Sequence, residues 1–69
     1  MRDLRMGEEG EDVRILQTLL ALNTEVEIET HGLFDARTRM MVMQYQRVSE
    51  TEDQPGEVGV STWRSLLNV

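Results

Sequence analysis

The stretch His31–Val48, HGLFDARTRMMVMQYQRV, reads as a tight turn, a helix cap and an amphipathic helix in one run. Gly32 suits the turn, and Phe34 is an apolar anchor just ahead of the helix. Asp35 is placed to accept hydrogen bonds from the first backbone N–H groups. Thr38, three residues on, is a short polar side chain able to answer it. A helix is expected over Ala36–Val48. Thr38, Met41, Val42 and Tyr45 share its inward face, and Met40, Met43 and Arg47 lie on the other.

The same pattern returns 24 residues later, where Gly56, Val58, Gly59, Thr62 and Leu66 stand in the places of Gly32, Phe34, Asp35, Thr38 and Val42. Residues Ser49–Glu57 form a polar loop in which Pro55-Gly56 fits the two central positions of a type II turn. A short helix follows, Val60–Leu67, with Trp63, Leu66 and Leu67 turned inward. The indole N–H of Trp63 needs a partner.

If a turn-cap-helix unit is used twice, another helix must cover both copies. The stripe Val13, Leu16, Leu19, Leu20 supplies it, over about Asp12–Leu22. Ile15 and Leu22 widen that stripe, as expected of a helix touched from two sides. Asn23 and Thr24 end it, with Asn suited to a left-handed cap. The segment Glu25–Thr30, EVEIET, alternates apolar and acidic residues and suggests one half of a minimal hairpin. Ahead of the first helix, residues 1–11 form an arm offering Leu4 and Met6, with a loop turned by Gly7 and Gly10. The expected architecture is mainly α: one domain over residues 1–69, a small three-helix bundle with short turn or extended segments between helices.

Composition narrows the functional classes. The chain has 69 residues, no cysteine, 13 acidic residues and 7 basic ones, all arginine, for a net charge of −6. A domain this short buries only about 60% of its unfolded surface, so little interior is left for a reaction site. The charge opposes nucleic-acid binding, which relies on basic residues neutralising phosphates. No apolar run approaches the ~20 residues of a membrane span. The first residues, MRDLRMGEEG, offer no apolar signal core, so the chain is expected to carry no export signal of its own.

Chemistry-bearing clusters are sparse. Glu8, Glu9, Glu11 and Asp12 suit the positive end of the first helix, and they lack the further ligands that would close a calcium loop. Glu27, Glu29 and His31 fall on one side of an extended segment, a geometry that could hold a metal or simply face water. With one histidine, no cysteine and no serine in a nucleophile-elbow context, the chain reads as a non-enzyme without cofactor or metal. Gln17 and Gln46 each follow an inward apolar residue. Their amides could satisfy loop backbone or recognise a peptide or N-acetyl sugar. The exposed methionines of the second helix could serve an adaptable protein contact.

Taken together, these residues resemble the type 1 peptidoglycan-binding domain family of bacterial and phage cell-wall hydrolases. The resemblance runs through Leu4, Gly7, Gly10, Val13, Leu16-Gln17 and Leu20. It continues with Gly32, Phe34, Thr38, Val42 and Tyr45-Gln46, and closes with Gly56, Val58, Gly59, Thr62-Trp63 and Leu66. Met41 departs from it, standing where the family usually has a small alanine. The resemblance implies a three-helix fold and a binding module that targets a parent or partner protein to peptidoglycan. It implies a place in the cell envelope or outside the cell if the parent is exported. The polar rim Gln17, Arg39 and Gln46 is the candidate ligand site. The alternative is a protein-interaction or self-associating domain using Met40, Met43 and Arg47.

Overall fold

The computed structural model describes residues 2–67, which form three helices. These are α1 (Glu11–Thr24), α2 (Ala36–Ser49) and α3 (Val60–Leu67). Helix α1 packs against both others, as expected of the helix that covers the two repeated units. The core is one cluster of Leu4, Val13, Leu16, Leu20, Phe34, Met41, Val42, Tyr45, Val58, Trp63 and Leu66. It includes Met41, so the extra volume of that side chain is taken up inside.

Helix α2 starts where the sequence places it. The Asp35 carboxylate accepts from the Thr38 backbone N–H and from the Thr38 hydroxyl, both at 2.9 Å. Its buried residues are Thr38, Met41, Val42, Tyr45 and Gln46. Helix α3 also keeps its expected limits, but Leu67 is exposed and the buried face is Thr62, Trp63 and Leu66. Leu67 is one 100° step beyond Leu66, which turns it out of the narrow seam of so short a helix. On α1, Ile15 and Leu22 likewise lie outside the buried stripe, and Leu22 is 72% exposed. Leu19 and Ile28 pack on the edge of the core.

Helix α1 continues past Asn23 and is closed by Glu25, which adopts the left-handed conformation and donates its N–H to the Ala21 carbonyl. Asn23 is diverted from the capping role. Its amide donates to the Leu19 carbonyl at 2.8 Å and to the Leu66 carbonyl at 3.3 Å, tying the end of α1 to α3.

The expected hairpin at residues 25–30 is absent. Among the described residues the only β-bridges join Leu4 to Val58 and Glu9 to Leu33. The N-terminal arm therefore takes the pairing. Leu4 exchanges two backbone bonds with Val58, at 2.9 and 2.8 Å. Gly7 and Glu8 bracket Phe34 in the same way, at 2.9 and 2.8 Å. Phe34 and Val58 are equivalent positions of the two repeated units, so one arm laces both turns to the bundle. Its start is fastened by the Trp63 indole, which donates to the Arg2 carbonyl at 2.8 Å. Arg2 in turn pairs with Glu8 and Asp12, which engages part of the acidic cluster ahead of α1.

Candidate binding groove

The two glutamines are built into the turns. Gln17 is 0% exposed. Its amide nitrogen donates to the Leu33 carbonyl and the Thr38 hydroxyl, both at 3.0 Å, and its oxygen accepts from the Gly32 N–H at 2.9 Å. Gln46 repeats the arrangement at the second turn. It donates to the Glu57 carbonyl at 2.7 Å and the Thr62 hydroxyl at 3.0 Å, and accepts from the Gly56 N–H at 2.9 Å. Gly32, Leu33 and Thr38 correspond to Gly56, Glu57 and Thr62, so the clamp is the same device in both halves. The amides are spent on backbone that would otherwise be buried unpaired. This corrects the placement of Gln17 on a polar rim open to ligand, while Gln46 keeps an edge on a surface depression.

The turns they hold differ in one respect. At the second, Glu57 donates to the Gln54 carbonyl at 2.9 Å across Pro55-Gly56, and Gly56 has φ 85°, as a type II turn requires. Where the first copy has the capping Asp35, the second has Gly59, and Asp53 supplies the carboxylate from the preceding loop. One oxygen of Asp53 accepts from the N–H groups of Gly59 at 2.9 Å and Thr62 at 2.7 Å. A Cβ on Gly59 would lie 2.7 Å from the other oxygen. Burial pushes the Asp53 carboxyl up, but bonds from Thr62, Gly59 and Ser61 outweigh it and hold the group below its ordinary value. Asp35 is also held low, chiefly by the Thr38 backbone bond, which burial opposes and which the Thr38 hydroxyl and His31 reinforce.

His31 is engaged as well. Its Nε2 lies 3.1 Å from Asp35 and its Nδ1 accepts from the Leu33 N–H at 3.1 Å. Among the described residues, no group of three or more His, Asp or Glu is placed to hold a metal ion.

Arg39 is exposed and lies over the second turn, its Nε 2.9 Å from where a Cβ on Gly56 would sit. Met40 is 61% exposed, Met43 is half-buried and Arg47 is exposed. Met43, Gln46 and Arg47 come together, with Thr51, Asp53 and Pro55, around a depression of about 320 Å³. Arg39, Met40 and Gln17 are not part of it.

A larger groove, about 540 Å³, lies where α1 and α2 end. Asn23, Thr24 and Val26 line it from one side, and Gln44, Tyr45, Val48 and Ser49 from the other. None of these seven side chains is charged, in a chain where 29% of residues are. Val48 is 84% exposed. The Tyr45 hydroxyl is fixed to Ser65 at 2.6 Å. Among the described residues, the Gln44 amide, the Ser49 hydroxyl and the Asn23 carbonyl oxygen have no partner within the chain. The one signal for this site in the sequence is Val48, a large apolar residue at the end of its helix and at the margin of the inward stripe of Thr38, Met41, Val42 and Tyr45. The groove as such is made by tertiary packing.

The fold defines a class, a small three-helix domain without a sheet among its described residues. Solved structures share it, two of them as follows. One is the endolysin of Burkholderia phage AP3, which matches 97% of this chain with a TM-score of 0.86 and 28% identity. The other is a periplasmic domain of the EpsAB fusion protein of the Vibrio vulnificus type II secretion system, which matches 94% of the chain with a TM-score of 0.86 and 29% identity. The chain spans 25% of the first and 29% of the second. No protein-family model matches it, and no curated protein does. No helix among the described residues is long and apolar enough to cross a membrane.

Proposed function

We propose that this chain is a non-catalytic module that holds a parent or partner protein on bacterial peptidoglycan, in the cell envelope or outside the cell, with the neutral groove as its ligand site. The observation that carries this reading is the match of nearly the whole chain to one quarter of a phage endolysin. The pattern of residues shared with peptidoglycan-binding domains points the same way. The groove supports it physically. It offers unpaired amide and hydroxyl groups beside apolar surface, and its volume lies in the range of small-ligand sites. A non-catalytic role accords with the use of the one histidine in bracing a helix cap.

The test is co-sedimentation of the purified chain with insoluble peptidoglycan, at low and moderate salt. The wild-type chain is expected in the pellet, and V48E in the supernatant with unchanged thermal unfolding. R39A is expected to pellet like wild type, because Arg39 lies outside the groove. A folded wild-type chain left in the supernatant would overturn the proposal. A second reading, a protein-interaction domain, draws on the exposed Met40 and on the likeness to a secretion-system domain. It predicts self-association or partner binding that is lost in a chain carrying M40E and M43E.

A further inference from the structure

Peptidoglycan presents a glycan of N-acetylated sugars, stem peptides that carry ionised carboxylates and amines, and in some walls attached anionic polymers. We infer that the groove takes the N-acetylated glycan. This assignment rests on the wall-binding reading and narrows it.

The chemistry of the lining excludes the charged components first. A buried or half-buried carboxylate needs a cation or several donors to offset its lost hydration. Not one of the seven lining residues is Arg or Lys. The groove also sits at the C-terminal ends of two helices, where the summed peptide dipoles present partial negative charge. Glu25 and Glu50, the left-handed caps that follow Thr24 and Ser49, add formal negative charge to the same two chain segments, and with Glu27 beside Val26 they outnumber the one adjoining base, Arg47 beside Val48. A carboxylate or phosphate would meet repulsion there. An ammonium group would be attracted, but held firmly it needs a carboxylate partner in the lining, and there is none.

What remains suits an N-acetyl sugar. The acetamido N–H matches the free Asn23 oxygen, and the acetamido carbonyl matches the Gln44 amide or the Ser49 hydroxyl. Val26, Val48 and the Tyr45 edge can cover the methyl group and the C–H face of the ring. Asn23 is well fixed for this task. Both hydrogens of its amide are committed to the Leu19 and Leu66 carbonyls, which holds the oxygen in place at no further cost in order. Sugar hydroxyls supply donors toward the carbonyl-rich helix ends.

Because peptide cross-links are what make peptidoglycan insoluble, the test compares retention of the purified chain on three bead-bound matrices: intact peptidoglycan fragments, the glycan strands that an amidase frees of stem peptides, coupled through their reducing ends, and those coupled strands after chemical de-N-acetylation. Each is measured at about 50 mM and about 500 mM salt, since screening separates charge-driven retention from contact-driven retention. Stripped glycan is expected to retain the chain as well as intact wall, with little change between the two salts. De-N-acetylated glycan is expected to lose it. Soluble β-1,4-linked N-acetylglucosamine oligomers are expected to release the chain from intact wall, and Q44A to weaken retention about fivefold, the worth of one hydrogen bond. Retention by intact wall but not by stripped glycan would overturn the glycan assignment and leave the wall-binding reading standing. Stronger retention on the de-N-acetylated, cationic glycan would overturn it in favour of an ammonium site. No retention on any of the three would overturn the underlying reading itself.

Discussion

Replacing Gln17 by methionine is expected to remove about 3 kcal/mol of folding stability. Methionine has nearly the same length and shape, so the core around residue 17 stays filled and the change isolates the hydrogen bonds. Three are lost, to the Gly32 N–H, the Leu33 carbonyl and the Thr38 hydroxyl. They are not equivalent. Gly32 is buried, and its N–H is left with no partner and no water, a penalty of about 2 kcal/mol. Leu33 is exposed enough for its carbonyl to recruit water, and Thr38 still donates to Asp35. Each of those two losses is worth about 0.5 kcal/mol, toward the lower end of a net hydrogen bond. A 69-residue domain carries only about 3–10 kcal/mol in total. The loss is therefore a large share of it and lowers the melting temperature by about 15 °C. Urea unfolding followed by the fluorescence of buried Trp63 reads it directly. Q46M is expected to cost as much, since Gly56 is buried and clamped the same way, and exposed Q44M is expected within about 0.5 kcal/mol of wild type. A shift below about 1 kcal/mol for Q17M would refute the reasoning, because the turn would then satisfy itself without the clamp.

Three further outcomes follow from the geometry. D53A is expected to cost about 1 kcal/mol as a lost helix cap, and G59A a similar amount by driving Asp53 away; the double variant should cost little more than either, whereas additive losses in the same urea assay would separate the two residues. The carboxyls of Asp35 and Asp53 are lower in the folded chain than in the unfolded one, so their stabilisation is complete above about pH 4 and is lost as pH falls through the folded values. A chain with D35N and D53N keeps neutral capping oxygens and should therefore show a flatter stability curve below pH 4 than wild type; an unchanged slope in acid titration by circular dichroism would count against these caps. M40E, at an exposed site, should leave melting unchanged within about 0.5 kcal/mol while M43E, half-buried, lowers it, and equal effects would contradict the face assigned to α2.

The parts of the fold legible in the sequence are those fixed by neighbours in the chain. Asp35 with Thr38 marks the start of α2, and Pro55-Gly56 marks its turn, because both depend on bonds spanning three residues. The need of Trp63 for a partner was also legible, though not that Arg2 would meet it across the whole chain. What failed was non-local. The alternation in residues 25–30 supplies only two apolar residues, and Ile28 alone reaches the core edge. A strand also needs a partner, and the arm that could have served pairs with Phe34 and Val58 instead. Periodicity sets the direction of the α1 stripe but not its width, and Ile15 and Leu22, at its margins by spacing, lie outside it. Gln17 and Gln46 were ambiguous because an amide serves a buried turn and a sugar equally well. Their common role shows only when each is set beside its own Gly and Thr.

The strong negative charge of the chain looks like an obstacle to binding an anionic wall, and the structure relocates it. Acids gather at helix starts: Glu11 and Asp12 in the first turn of α1, Asp35 capping α2, and Asp53 reaching over to cap α3. Each favours the positive end of a helix there. Arg2 neutralises part of the cluster through Glu8 and Asp12. The groove lies at the opposite ends of α1 and α2. A 14-residue helix is about 21 Å long, more than twice the distance over which salt screens exposed charges. The acids at the start of α1 are therefore nearly silent at the groove, where Glu25, Glu27 and Glu50 adjoin the lining in sequence, against one base, Arg47. Net charge bears on solubility and long-range approach. On the proposed wall-binding reading, selection rests with seven neutral side chains and two helix ends, and that local balance favours an uncharged, amide-bearing ligand over charged ones.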